Sequence, residues 1–158
     1  MKRVLILESN ETFAAELSTY FEKEGYTVCG VTGDGAEGLT LLEKNAPNVV
    51  VASLLLTGVD GFTVMERAKK EGIKADFVVL GNFADDRIIN RAISLGAKYY
   101  LMKPVSAQIV EERVAEITEE AEGVPVREKF ERRRAGSLDE RISNIFISIG
   151  IPPNIKGY

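Results

Sequence analysis

Asn48-Val49-Val50-Val51-Ala52-Ser53-Leu54-Leu55-Leu56-Thr57-Gly58-Val59-Asp60-Gly61 passes from a strand through a loop to the start of a helix. The run of valines ending in Ala52 leaves no polar position on either face. That is the pattern of a strand covered on both sides, as in a parallel sheet, and not of one half exposed to water. Ser53 closes the run. Thr57-Gly58 supplies turn residues, and Asp60-Gly61 reads as a turn and helix start, with the Asp60 carboxylate placed to cap the first free amides.

Outward from this stretch, short β-branched runs alternate with segments of helical period. Strands are expected at residues 3–7, 27–31, 49–52, 77–80 and 99–102. The first helix carries Phe13, Leu17, Tyr20 and Phe21 on one face and ends at Gly25; the others fall near 36–44, 62–71, 85–95 and 107–121, with Ser106 as a cap for the last. Right-handed crossovers between parallel strands make a five-stranded, doubly wound, flavodoxin-like α/β sheet the natural closure. Functional groups in such a sheet gather at the carboxyl ends of the strands. Those ends are Glu8-Ser9, Ser53, Gly81-Asn82 and Lys103-Pro104.

Bulk properties bound the reading. With 158 residues, 45% hydrophobic and 28% charged, the chain has room for one good core and a short appendage. A formal net charge of -4 argues against nonspecific nucleic-acid binding by the whole molecule, so any such role must be local. One cysteine, Cys29, and no histidine exclude an internal disulfide framework and the usual Cys/His zinc sites. The apolar run from Val4 to Leu7 is too short for a signal-peptide core or a membrane span, and a cytoplasmic protein without membrane contact is expected.

The spacing of Ser53 from Asp60-Gly61, the opening strand Val4-Leu5-Ile6-Leu7, and Gly96-Ala97 followed by Tyr100 and Lys103-Pro104 closely resemble the receiver domains of bacterial response regulators. The resemblance covers residues 1–122 and implies the CheY-like form of the flavodoxin-like fold. In that family the position of Ser53 is an aspartate that accepts a phosphoryl group from a histidine kinase or phosphotransferase. A pair of acids after the first strand, here Glu8 and Ser9, holds magnesium. A Ser or Thr ending the fourth strand, here Gly81, turns toward the phosphoryl group; the aromatic matched by Tyr100 rotates on activation; and the lysine matched by Lys103 contacts the phosphoryl group, before a proline, Pro104, whose bond is typically cis.

Set against that pattern, Ser9, Ser53 and Gly81 depart from it and Glu8 is a partial substitution. A serine hydroxyl cannot form an acyl phosphate and brings no charge to a cation. Magnesium wants oxygen ligands in near-octahedral geometry, usually with one or two carboxylates plus phosphate, so magnesium binding is expected to be weak or absent and no other cofactor is implied. Lys103 is expected to pair with Glu8 in place of the metal, Asp60 and Gly61 to serve as turn and helix start, and Tyr100 to pack. The reading is a degenerate receiver, a pseudo-receiver without enzymatic activity.

After Gly123-Val124-Pro125 the composition changes. Residues 123–136 form a basic linker, with Arg127, Lys129, Arg132, Arg133 and Arg134 against Glu128 and Glu131. Ser137-Leu138-Asp139-Glu140 has the form of a capping box, and Leu138, Ile142, Ile145, Phe146 and Ile149 share one face of an amphipathic helix within a tail spanning 137–158. The tail resembles the start of the DNA-binding effector domain of the stage-zero sporulation master regulators of endospore-forming Firmicutes, through its first helix only. The resemblances together imply a phosphorylation-independent interaction module in two-component or phosphorelay signalling, in the context of sporulation. Its expected partners are a receiver, a phosphotransferase or kinase, and a second copy joined through the tail in a homodimer. DNA binding by this chain alone is not expected. The alternative is the N-terminal part of a sporulation-type transcription regulator.

Overall fold

The computed structural model describes residues 2–122; the linker and the tail helix expected over 123–136 and 137–158, with Leu138, Ile142, Ile145, Phe146 and Ile149, lie outside the described residues. Five strands and five helices alternate: β1 (Arg3–Leu7), α1 (Glu11–Lys23), β2 (Thr27–Thr32), α2 (Gly35–Asn45), β3 (Val49–Ser53), α3 (Gly61–Lys70), β4 (Asp76–Gly81), α4 (Asp86–Ser94), β5 (Ala97–Met102) and α5 (Ala107–Glu122). The sheet is parallel throughout, in the order β2-β1-β3-β4-β5. This is the five-stranded, doubly wound, CheY-like flavodoxin fold expected from the sequence.

The period of two along the strands splits the core into two layers. Leu5 and Leu7 of β1, with Val50 and Ala52 of β3 and Val79 of β4, face Leu39 and Leu42 of α2 and Val64, Met65 and Ala68 of α3. The alternate residues Val4 and Ile6, Val49 and Val51, and Val78 and Leu80 face Leu17 and Phe21 of α1 and Val110, Val114 and Ile117 of α5. Leu17, Phe21, Val110 and Val114 are fully buried, and burial of a side chain of this size stabilises the fold by about 1.5–3 kcal/mol. One face of each outer helix is thereby committed to the sheet.

Carboxylate and amide caps fix where the helices begin, and so where the strand ends open into loops. Asn10 accepts from the Phe13 amide, Asp34 from the Ala36 and Glu37 amides, Asp60 from the Thr63 amide at 2.8 Å and Asp85 from the Arg87 amide. Ser106 accepts from the Ile109 amide at the head of α5. None of the described helices is long and apolar enough to cross a membrane.

Candidate functional site

The carboxyl ends of β1, β3 and β5 bring Glu8, Ser53 and Lys103 together. Glu8 and Ser53 are buried. Strand β3 runs one residue further than the apolar run predicts, so Ser53 is still paired, opposite Leu80 of β4, and its hydroxyl is held beneath the loops. It donates a short hydrogen bond to Glu8 Oε1. Lys103 Nζ lies 2.9 Å from Glu8 Oε1 and 3.1 Å from Oε2, and the Asn10 amide donates to Oε2 at 2.9 Å. Both carboxylate oxygens are thus occupied by donors, and the glutamate charge is neutralised by the ammonium at close range. A buried carboxylate is tolerable only with such partners.

Ser9 lies at the edge of this cluster. Its side chain is exposed and donates to the Leu55 carbonyl at 3.0 Å, tying the β1–α1 turn to the loop after β3. Asp60 and Gly61 stand behind Ser53. Asp60 caps α3, and a Cβ built on Gly61 would lie 2.5 Å from the Ser53 carbonyl oxygen, so α3 starts in contact with the strand end only because residue 61 has no side chain. The Lys103–Pro104 bond is cis, and the Lys103 amide donates to the Gly81 carbonyl at 2.8 Å, which directs the lysine back over the sheet.

Gly81 and Tyr100 form the second part of the site, a relation that the sequence did not disclose. Tyr100 has no exposed surface, and its hydroxyl donates to the Phe83 carbonyl at 2.7 Å. Burial pushes its phenol pKa up, with the bond to Phe83 pulling the other way. A Cβ on Gly81 would stand 2.0 Å from the Tyr100 hydroxyl oxygen and 2.4 Å from Cζ. The tyrosine therefore occupies the space that a side chain at position 81 would need. The only sequence trace of this relation is a glycine at a strand end and an aromatic on the neighbouring strand, which pairs with Val79, two residues before that glycine.

Beside the cluster, Asn10, Phe13, Asn82, Lys103, Pro104 and Val105 line an open cleft of about 310 Å3. Lys103 Nζ lies 5.9 Å from the centre of the Phe13 ring, within range of a cation–π contact.

A magnesium ion, which the receiver resemblance implies, does not fit this donor set. Glu8 supplies the only carboxylate of the cluster and is already saturated by Ser53, Asn10 and Lys103, while the two serines bring no charge. Among the described residues no three or more His, Cys, Asp and Glu side chains are grouped to hold a metal. The ammonium sits where a cation would be drawn.

Comparison with known proteins agrees with this architecture. The family model for the response regulator receiver domain matches residues 4–115. Among solved structures, the CheY-like response regulator receiver domain protein of Methanospirillum hungatei JF-1 superposes with a TM-score of 0.72 at 25% identity, over 78% of this chain and 98% of that one. A DNA-binding response regulator of the LuxR family from Staphylococcus aureus gives 0.70 at 18% identity, over 74% and 98%. The CheX-CheY-BeF3-Mg+2 complex from Borrelia burgdorferi gives 0.69 at 19% identity, over 74% and 89%. With the family match spanning most of its length and the fold in agreement, the chain belongs to the response regulator receiver domain family.

Proposed function

We propose that this receiver signals through protein contact without phosphoryl transfer. The observation that carries the reading is the closed cluster of Ser53, Glu8 and Lys103. Acyl-phosphate chemistry needs a free carboxylate nucleophile at the end of β3 and a cation to gather phosphate oxygens. Ser53 offers a hydroxyl already donated to Glu8, and Lys103 is committed to the same carboxylate. Magnesium binds weakly at best, and the module has no enzymatic activity of its own. The inward Tyr100, packed against a residue with no side chain to turn, favours one arrangement of the β4–α4 region over a switch between two.

The partner class is a receiver, a phosphotransferase or a histidine kinase, recognised by shape and not by phosphorylation state, in a phosphorelay of the sporulation type. A second copy of the chain is the other partner, through the face formed by α4, β5 and α5. The Ile149-Gly150-Ile151-Pro152 and Ile155-Lys156-Gly157-Tyr158 pattern supports a second reading, in which these residues begin a DNA-binding effector domain and the receiver fixes its arrangement.

Incubation with acetyl phosphate and magnesium tests the proposal. The intact mass stays unchanged. An acid-stable gain on Ser53 would mean that serine is modified by another route, and a hydroxylamine-labile gain would overturn the reading.

A further inference from the structure

The outer face of α1 is not closed by the sheet. Ala15, Thr19 and Tyr20 of α1 and Ala107 at the head of α5 form a mostly apolar groove of about 730 Å3, edged by Glu16 and Lys23. Ala15 and Thr19 are exposed. The groove runs beside the pocket, because Asn10 and Phe13 at the head of α1 line the cleft over Lys103.

We propose that this groove is the docking site of residues 137–149 of the same chain. Leu138, Ile142, Ile145, Phe146 and Ile149 give that segment one apolar face, and a helix of this length is marginal in water unless such a face is covered. Reach permits the docking. The chain leaves the described fold at the end of α5, on the helix beside α1. Residues 123–136 extended would span at most about 3.3–3.6 Å per residue, well over the ~1.5 Å per residue rise that sets the length of α1. The linker can therefore turn back and lay the segment along the groove.

Tethering favours this groove over a second chain, because a short linker holds the segment at an effective concentration on the order of millimolar. A docked segment covers α1 beside the cleft, so a partner approaching the α1 face must displace it.

Two measurements on the full chain decide the matter. Ile145→Asp combined with Phe146→Asp should shift the amide NMR resonances of residues 12–23 and 107, while sedimentation reports the same association state before and after substitution. Unmoved α1 resonances would overturn the proposal. So would a wild-type dimer that the double variant converts to monomer, since the segment's partner would then be a second copy. From the other side, Ala15→Arg combined with Thr19→Arg, both on the exposed face, should leave circular dichroism of the fold unchanged and raise amide exchange in 137–149 by about tenfold or more. Equal exchange in wild type and variant would overturn it too.

Discussion

At the residue scale, Glu8 organises the site. It takes a hydroxyl from Ser53, an amide from Asn10 and an ammonium from Lys103, and each of these comes from a different part of the chain. Glu8→Gln keeps the shape but removes the charge opposite Lys103, whose side chain is 19% exposed and so partly solvated. The expected cost is about 1–3 kcal/mol, read as a lower urea midpoint at unchanged slope. Lys103→Met is more damaging, because it leaves the Glu8 carboxylate buried without its cation; breaking such a pair costs about 3–5 kcal/mol. Equal midpoints for the two variants would contradict the account of the cluster. Gly81 and Tyr100 give a test by pH. The folded pKa of Tyr100 is raised above that of the unfolded chain, so its contribution to stability is complete below the ordinary phenol value and is lost as pH rises through the folded one. In an alkaline titration followed at 295 nm, Tyr100 ionises above the ordinary phenol range. Gly81→Ala drives the ring out, and its ionisation moves down toward that range; a late step that survives the substitution would show that the ring can share its place with a side chain. The Ser53 and Lys103 positions were legible in the sequence because strand ends collect the functional groups of this sheet. The Gly81–Tyr100 exclusion was not, because it depends on a tyrosine ring reaching across from the neighbouring strand.

At the scale of elements, the strands and helices were legible wherever apolar period and caps agreed. Val49, Val50 and Val51 mark β3 without ambiguity, and Asp60 marks the start of α3. The errors fall at the edges. Ser53 and Gly81 lie inside their strands instead of just beyond them, because the ladder pairs Ser53 with Leu80 and Gly81 with Met102 whatever the polarity of the side chain. Helix α4 begins one residue later than its apolar pattern suggests, since Asp85 is spent as the cap. Close approaches between elements were invisible. A Cβ on Gly35 at the start of α2 would stand 1.9 Å from the Val59 carbonyl oxygen, and nothing in the local sequence names that partner. The two segments are joined there by the Gly35 amide, which donates to the Thr57 carbonyl at 3.0 Å, and by the Thr57 amide, which donates to Gly33. Gly35→Ala must push α2 from the β3–α3 loop, and overpacking of this kind costs about 1–3 kcal/mol. A melting temperature unchanged by the substitution would show that the loop moves aside freely.

At the scale of the whole molecule, the doubly wound sheet places one chemically distinctive cluster at its carboxyl edge, with an apolar groove on the outer face of α1 beside it. That edge is filled by an internal ion pair and an inward tyrosine. The fold was readable because it is repeated five times along the chain, whereas the condition of the site depends on single substitutions whose meaning appears only when the strand ends meet. The most direct measurement is an amide NMR titration with beryllofluoride and magnesium, on the wild type and on the variant carrying Ser53→Asp, Ser9→Asp and Gly81→Thr. The account predicts a spectrum that does not move for the wild type, and for the triple variant shifts centred on the ends of β1, β3 and β4. Saturable shifts at Glu8, Ser53 and Lys103 in the wild type would contradict it.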